Sequence, residues 1–325
     1  PFLRVWDTVC ILAPSRSMTL VSEQIKKNIV VCLKELGVDT VFKNSTREWY
    51  ETGWTPEERA QDINDAFADP NIHWIIPMLW GYHANQILDL LNYDLIAKNP
   101  KFFMWYSDIT VLNISLYCRS NLQTFHGPTA SILWHYRPMN YTIDSFRNMA
   151  FRDNTMKWIS YSTSPYWTEW PRWKNENIDS RTLNENVWFN IINPGIAEWI
   201  SFGGNISTLA LLLWKEKDKI IVPDGSILFL EQWWSVNGDD TIRQLMALIQ
   251  WWLFRNTNWV VFGRFESRTG INEEYLVYLI KKIIWDEIPF VLGADFGHTE
   301  PMFTFPIGAT CRIDAESQKI EFSVV

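Results

Sequence analysis

The chain has 325 residues, 47% of them hydrophobic and 20% charged, a composition typical of a soluble globular protein with one large or two ordinary domains. Its net charge of -8 offers no excess of Lys and Arg, so neither a nucleic acid polymer nor an anionic membrane is an expected partner. No apolar run approaches a membrane span of about 20 residues, and the four scattered cysteines form no zinc-site or disulfide pattern, so we expect a cytoplasmic protein.

The first half of the chain alternates apolar strand patterns with amphipathic helix patterns. Thr55 followed by Pro56 is a typical start of a helix, and Gly37 is a typical end of one. Strands that alternate with helices indicate a parallel, doubly wound sheet, in which ligands bind at the carboxyl ends of the strands. The predicted elements in chain order are a strand at 7–14, a helix at 17–37, a strand at 39–44, a helix at 55–70, a strand at 72–79, a helix at 84–100, a strand at 101–106 and a helix at 107–120.

The second half has weaker periodicity up to residue 195, and order returns after the GGN motif at 203–205. We therefore predict an N-terminal domain over 1–155, an interdomain segment over 156–195 and a smaller C-terminal α/β domain over 196–325. The predicted elements of the last domain are the apolar run 206–214, a strand at 226–231, a helix at 239–254, a strand at 258–265, a helix at 272–284 and a strand at 289–297.

Three residues that could carry chemistry stand out in this pattern. Ser107 lies at a strand-to-helix junction, where a serine is either a common N-cap or a nucleophile that the turn exposes beside the positive end of a helix. Glu231 ends an apolar strand, as a solvated carboxylate or as one aimed into a cleft. His298 follows DFG, and a lone histidine is more often structural than catalytic. Taken singly, each residue is weak evidence for a catalytic site.

A series of motifs joins these residues into one interpretation. GYHANQILDLLNYDLIAKNPKFFMWYSDIT (81–110), TFHGP (124–128), SFGGNISTL (201–209), DGSILFLE (224–231), VVFGRFE (260–266) and DFGHTEPMFTFPIGA (295–309) together resemble the LD-carboxypeptidase family of serine peptidases, which includes the microcin C immunity proteins. The resemblance covers nearly the whole chain in the right order. It implies a flavodoxin-like N-terminal domain, and a homodimer that needs no metal and no cofactor.

The resemblance also implies roles for individual residues. Ser107 would be the nucleophile, His298 the general base and then acid, and Glu231 the group that orients the imidazole. The backbone N–H groups of Asp108 and of the loop at Gly81 would form the oxyanion hole.

The substrate is the finer question. PYWTEW (165–170) and NENVW (184–188) resemble the microcin-immunity branch, which cleaves the amide between a peptide or amino acid and a modified nucleotide. The alternative is a murein tetrapeptide LD-carboxypeptidase of cell-wall recycling. The candidate substrate-binding residues are Trp173 and Trp167, of which either could stack on a base or merely pack, together with Tyr82 and Asn205.

Tryptophan is unusually frequent, with 20 Trp beside only 14 Gly. At nine positions Trp stands where the family resemblance leads us to expect glycine, and an indole offers neither a positive φ nor a close backbone approach. We therefore predict that the gene reads UGA as glycine. The alternative is a non-hydrolytic binding protein whose site Trp80 and Trp105 obstruct. The nine positions are Trp6, Trp80, Trp105, Trp134, Trp199, Trp214, Trp234, Trp252 and Trp259.

Overall fold

The computed structural model divides into two compact units, Pro1–Asp153 and Asn154–Val325. Unit 2 includes residues 154–195, of which 156–195 are the predicted interdomain segment. With these residues, unit 2 is longer than unit 1. Within the described part of the chain, no helix is long and apolar enough to span a bilayer. The described residues are 2–43, 52–135, 139–151, 157–169, 182–186, 190–192, 195–216, 218–251, 253–284 and 289–323.

Unit 1 is built on a parallel sheet. Four described strands form it in the order β2-β1-β3-β4, and every neighbouring pair is parallel. The central strands β1 and β3 are almost wholly buried, as expected for strands covered by helices on both faces. The strands are β1 (Thr8–Leu12), β2 (Asp39–Phe42), β3 (Trp74–Pro77) and β4 (Phe102–Phe103), followed by the short β5 (Thr124–His126).

The helices of unit 1 begin where the capping residues are. Ser22, Thr55 and Asn92 each accept a hydrogen bond from a backbone N–H of the first turn. Three predicted helices start later than expected, each after a 3₁₀ segment: Met18–Leu20, Ala84–Leu90 and Ser107–Ile109. The helices are α1 (Glu23–Glu35), α2 (Pro56–Ala68), α3 (Tyr93–Lys98), α4 (Thr110–Ser120), α5 (Ala130–His135) and α6 (Asn140–Ala150).

Unit 2 carries a larger, mixed sheet. Eight of the described strands form it in the order β6-β17-β16-β10-β11-β12-β13-β9, in which β10 to β13 are parallel and the outer pairs antiparallel. A separate antiparallel sheet has the order β14-β7-β8. The strands are β6 (Trp158–Tyr161), β7 (Tyr166–Glu169), β8 (Asn184–Glu185), β9 (Asn190–Ile192), β10 (Ile196–Asn205), β11 (Ser226–Glu231), β12 (Thr257–Gly263), β13 (Phe290–Ala294), β14 (Thr299–Glu300), β15 (Phe305–Ile307), β16 (Thr310–Asp314) and β17 (Lys319–Ser323).

The helices of unit 2 alternate with the parallel strands. They are α7 (Ile206–Glu216), α8 (Gly238–Gln250) and α9 (Glu273–Leu279), and a π-helical turn follows at Ile280–Ile284. The prediction of a strand at 226–231 is confirmed to the residue. The predicted α/β class, with a doubly wound parallel sheet first and a second α/β domain after it, is confirmed by the two units.

Candidate active site

Ser107 lies on a strained turn between a strand and a helix. β4 ends at Phe103, Tyr106 is extended with φ of -133°, and the 3₁₀ turn Ser107–Ile109 leads directly into α4. Ser107 itself has φ of 60°, in the left-handed region that costs a residue with a side chain about 1 to 2 kcal/mol. Strain of this kind concentrates at functional sites, and the strand–turn–helix arrangement is that of a nucleophile elbow.

The backbone just before the elbow is tied to β5. The Trp105 N–H donates to the Phe125 carbonyl at 2.9 Å, and the Nδ2 amide of the buried Asn113 donates to the Trp105 carbonyl at 2.7 Å. The Trp105 side chain is completely buried, and its indole N–H finds no acceptor among the described residues. The Trp105 side chain therefore exposes no surface to solvent.

The Asp108 carboxylate holds the loop that follows β3. Its Oδ2 accepts hydrogen bonds from the Ser15 hydroxyl at 2.6 Å and from the Ala84 N–H at 3.1 Å. Ser15 Oγ in turn accepts from the His83 N–H at 3.0 Å. Burial raises the pKa of the Asp108 carboxyl above its usual range, and these hydrogen bonds oppose the rise.

Gly81 begins the same loop and has no room for a side chain. A Cβ at this position would lie 2.0 Å from Ser15 Oγ and 3.0 Å from the Arg16 backbone nitrogen. The close approach of Ser15, in the loop after β1, therefore requires glycine here. The next residue, Tyr82, has a half-exposed side chain, and its partial burial raises the pKa of the phenol.

Arg59 of helix α2 supports this loop from the interior. The sequence motifs did not indicate this role of Arg59. Its guanidinium is fully buried, donating through Nη1 to the Pro14 carbonyl at 2.7 Å and the His83 carbonyl at 3.1 Å, and through Nη2 to Gln86 Oε1 at 2.6 Å. Burial lowers the pKa of Arg59 to about 10, so it stays charged at neutral pH. The available signal was its place on the apolar face of the helix, four residues before Ile63.

Glu231 and His298 form a buried pair in unit 2. Glu231 is the last residue of β11 and is fully buried, and its Oε2 lies 2.6 Å from His298 Nδ1. His298 lies in the loop after β13, where Gly297 has φ of 98°. A Cβ on Gly297 would approach the Glu231 Cβ to 2.7 Å, so the loop needs glycine to bring the imidazole onto the carboxylate.

Asn205 lies beside Glu231 at the carboxyl ends of adjacent parallel strands, opposite it in the β10–β11 register. Its Oδ1 accepts hydrogen bonds from the Thr208 N–H at 3.1 Å and from the Thr208 hydroxyl at 2.9 Å. These bonds cap the first turn of helix α7. Gln232, the residue after Glu231, accepts from the Ser207 hydroxyl at 2.7 Å. This corner of unit 2 is therefore a fixed polar cluster around the buried carboxylate.

Trp167 lies on β7, where the Arg264 guanidinium carbon is 5.0 Å from the centre of its ring. Arg264 is held by Asp295 Oδ1 at 2.8 Å and by Asn186 Oδ1 at 2.7 Å. Burial raises the pKa of the Asp295 carboxyl, and the neighbouring Arg264 charge opposes the rise. The other tryptophan candidate, Trp173, lies outside the described residues.

The predicted residues fall into two groups. Ser107, Asp108 and the Gly81 loop meet in unit 1, whereas Glu231, His298 and Asn205 meet in unit 2. In the described part of the chain, no group of three or more His, Cys, Asp or Glu side chains could hold a metal ion.

Comparison with known proteins identifies the family. The sequence matches the LD-carboxypeptidase N-terminal domain over residues 9–127 and the LD-carboxypeptidase C-terminal domain over residues 200–313. The chain belongs to the LD-carboxypeptidase family. This confirms the resemblance and places the chain among serine-type carboxypeptidase hydrolases.

Within the LD-carboxypeptidase family, the relatives include MccF and MccF-like proteins. The microcin C7 self-immunity protein MccF of Escherichia coli is 28% identical over 99% of this chain and 94% of its own length. The crystal structure of an MccF-like protein from Bacillus anthracis is 32% identical, with a TM-score of 0.90 over 100% of this chain and 98% of that one. MccF in complex with aspartyl sulfamoyl adenosine is 25% identical, with a TM-score of 0.89 over 100% of this chain and 98% of that one.

Proposed function

We propose that this LD-carboxypeptidase family member hydrolyses amides with a catalytic triad of Ser107, His298 and Glu231. The observation that carries the proposal is the buried contact between His298 Nδ1 and Glu231 Oε2 at 2.6 Å, because a carboxylate on Nδ1 leaves Nε2 as the nitrogen that exchanges a proton with a serine. The left-handed backbone of Ser107 is the matching feature of unit 1.

The reaction follows from these roles. Ser107 Oγ attacks the scissile carbonyl carbon while His298 Nε2 takes its proton, and the carbonyl oxygen becomes an oxyanion. The tetrahedral intermediate collapses when the imidazolium gives that proton to the leaving nitrogen, which breaks the C–N bond and leaves an acyl-serine ester. Water then attacks the ester with His298 as base, which releases the acid and restores the hydroxyl. Glu231 stabilises the imidazolium during both steps.

The oxyanion needs donors fixed in advance. In this proposal they are the backbone N–H groups of Asp108 and of the loop at Gly81. The Asp108 N–H comes directly after the nucleophile at the start of a 3₁₀ turn, where backbone N–H groups point outward from the helix. The Gly81 loop is attached to the Asp108 side chain through Ser15 and Ala84, which supports a joint role.

As substrate we propose a peptidyl- or aminoacyl-nucleotide, so that the enzyme would detoxify a microcin C-type compound. The similarity to MccF, which has been solved with aspartyl sulfamoyl adenosine, supports this class. Trp167 supports it as well, because its ring is already backed by the Arg264 guanidinium and so presents a rigid aromatic surface to a base. Trp173, Tyr82 and Asn205 complete the proposed substrate-binding residues.

The family name favours a second candidate substrate, a murein tetrapeptide cleaved by LD-carboxypeptidase activity. An assay of aspartyl sulfamoyl adenosine beside a murein tetrapeptide separates the two. We expect the kcat/KM for aspartate release to be at least about 100-fold higher than the kcat/KM for cleavage of the murein peptide. This ratio corresponds to a difference of about 3 kcal/mol in transition-state binding. Faster cleavage of the murein peptide would overturn the nucleotide proposal and leave the triad proposal intact.

The tryptophans bear on whether the protein is a hydrolase or only a binder. Of the nine positions, Trp6 has a left-handed backbone, with φ of 80°, which is the conformation that favours glycine. Trp54, which is not one of the nine, also has a positive φ of 71°. Trp199 and Trp259 lie in strands β10 and β12, where the backbone makes no such demand, and Trp252 lies outside the described residues. We propose UGA-to-glycine recoding for the gene. UGG codons at most of the nine positions would refute it.

The non-hydrolytic alternative depends on Trp80 and Trp105 obstructing the site. The Trp105 side chain is completely buried, and stoichiometric labelling of Ser107 by a fluorophosphonate would refute the obstructed-site alternative. The homodimer, the cytoplasmic location and the domain limits 1–155, 156–195 and 196–325 remain predictions from the sequence.

A further inference from the structure

Two buried charges hold opposite ends of one peptide group in the loop after β3. Arg59 Nη1 donates to the His83 carbonyl at 3.1 Å, and the Ala84 N–H donates to Asp108 Oδ2 at 3.1 Å. The His83 carbonyl and the Ala84 N–H belong to the same planar peptide group. A cation therefore faces its negative end and an anion faces its positive end.

This arrangement fixes the orientation of the peptide group. If the group were flipped, its carbonyl would face the Asp108 carboxylate and its N–H would face the Arg59 guanidinium, so both contacts would become repulsive. The energy difference is large in a buried setting, where charges are poorly screened. Both side chains are buried, and each is tied further, Arg59 to Gln86 Oε1 at 2.6 Å and Asp108 to the Ser15 hydroxyl at 2.6 Å.

The neighbouring peptide group is fixed as well, because the His83 N–H donates to Ser15 Oγ at 3.0 Å. Ser15 is also the residue against which Gly81 packs without room for a Cβ. The loop is thus held at three consecutive points, by Gly81 against Ser15, by the His83 N–H, and by the His83–Ala84 peptide group. Loops on protein surfaces are ordinarily mobile, so this number of buried polar contacts is unusual.

We propose that Arg59 and the Asp108 carboxylate are positioning residues that set the orientation of the Gly81 loop and thereby of its oxyanion-hole N–H. This inference rests on the proposed function of that loop and deepens it. The Asp108 residue then serves the oxyanion hole twice, through its own backbone N–H and, through its side chain, by holding the loop that carries the other donor. Arg59 touches neither substrate nor reacting atoms.

The test compares variants by their reaction with a fluorophosphonate, which modifies an activated serine through an oxyanion-like transition state. The variants are Arg59→Met, Arg59→Lys and Asp108→Asn. The control is Lys101→Met, which removes another buried cation of unit 1, one that caps the carbonyls of Asp69 and Ile72 and does not contact the loop. Amide hydrogen exchange of residues 81–86 is measured in parallel, because it reports on the loop without requiring activity.

We expect kinact to fall by about 100-fold in Arg59→Met and Asp108→Asn with KI nearly unchanged, since a displaced oxyanion donor weakens the transition state more than the encounter complex. Arg59→Lys keeps the charge but replaces the two donor nitrogens Nη1 and Nη2 by one, so it recovers part of kinact. Exchange of residues 81–86 rises in the Met and Asn variants and stays at the wild-type rate in Lys101→Met.

The outcomes separate two failures. If the wild-type protein is not labelled at all, the proposed function fails, and the exchange data still decide whether Arg59 and Asp108 hold the loop. If the wild type is labelled but the Arg59 and Asp108 variants match Lys101→Met in kinact and exchange, the positioning inference is overturned. Should Arg59→Met fail to fold, the same comparison is made with Arg59→Lys and Asp108→Asn.

Discussion

The Nδ1 atom of His298 lies 2.6 Å from Oε2 of Glu231, although 67 residues separate the two in the chain. The contact is buried on both sides, at the carboxyl end of β11 and in the loop after β13. A carboxylate in this position selects the imidazole tautomer that keeps the proton on Nδ1 and stabilises the imidazolium once it forms. The pair is therefore the part that unit 2 would supply to the proposed triad.

Replacing Glu231 by Gln is expected to lower kcat by about 10⁴-fold, because a neutral amide can hold the wrong tautomer and does not stabilise the imidazolium. Steady-state hydrolysis of aspartyl sulfamoyl adenosine measures the effect. The matched control is Glu216→Gln, since Glu216 is also a buried glutamate of unit 2, paired with Lys219. Equal activity of the two variants would remove Glu231 from the mechanism.

Ser107→Gly is expected to have a free energy of unfolding about 1 kcal/mol higher than Ser107→Ala. The reason is the φ of 60° at this position, which glycine adopts without strain and alanine does not. Both variants lose the hydroxyl and should be inactive. Urea unfolding of the two proteins measures the difference, and an alanine variant as stable as the glycine variant would show that the turn is unstrained.

Gly81→Ala is expected to lower the free energy of unfolding by about 1 to 3 kcal/mol and to reduce kcat. The added Cβ would lie 2.0 Å from the Ser15 hydroxyl and 2.8 Å from the Ser15 Cβ, so the loop must move. Ser15→Gly removes both atoms, and the double variant should regain part of the stability lost in Gly81→Ala. Purely additive effects in this double-mutant cycle would argue against the close contact.

Trp6→Gly is expected to raise the free energy of unfolding by about 1 kcal/mol, because Trp6 has φ of 80° and its side chain is 80% exposed. Trp74→Gly is the comparison, since Trp74 is not one of the nine positions and is fully buried in strand β3, so its removal should cost about 3 to 5 kcal/mol. Urea unfolding distinguishes the two. A destabilised Trp6→Gly variant would contradict the backbone argument for glycine at this position.

The stability difference between the wild-type protein and Asp295→Asn should depend on pH. Burial raises the folded-state pKa of the Asp295 carboxyl, so folding takes up a proton between the unfolded and folded pKa values. The contribution of Asp295 is therefore fully present below the unfolded pKa of 3.8 and is lost as pH rises through the folded value. Urea midpoints at pH 4 and pH 8 should show a larger advantage of the wild type at pH 4. A larger stability advantage of the wild type at pH 8 would contradict the predicted pH dependence.

Several elements were accessible from the sequence because the signal is local. The strand that ends at Glu231 is a short apolar run, and helix α2 begins at the Thr55 cap with Pro56 at its first position, so both were predicted with the right type and nearly the right limits. Strand β10 was not predicted. In its first half only Ala197 is buried, whereas its second half is wholly buried, and the strand pairs with β16 first and with β11 later.

The candidate site also has one part that the sequence indicated and one part that it did not. Sequence motifs indicated Ser107, Glu231 and His298, since each lies at the end of a recognisable strand or shortly after one. The support around them depends on contacts between residues far apart in the chain. Arg59 reads as one charged residue of an amphipathic helix, and nothing in its neighbourhood reveals that it bonds a carbonyl 24 residues away. Such contacts follow from the packing of α2 under the loop, which periodicity alone does not specify.

In the proposed triad, Ser107 of unit 1 is a nucleophile activated by the His298–Glu231 pair of unit 2. Mass-spectrometric mapping of fluorophosphonate labelling in the wild type and in His298→Ala, with Ser107→Ala as control, tests this activation. We predict stoichiometric labelling on Ser107 in the wild type, none in Ser107→Ala, and a rate lower by at least about 1,000-fold in His298→Ala. Labelling of another residue, or an unchanged rate in His298→Ala, would contradict the claim.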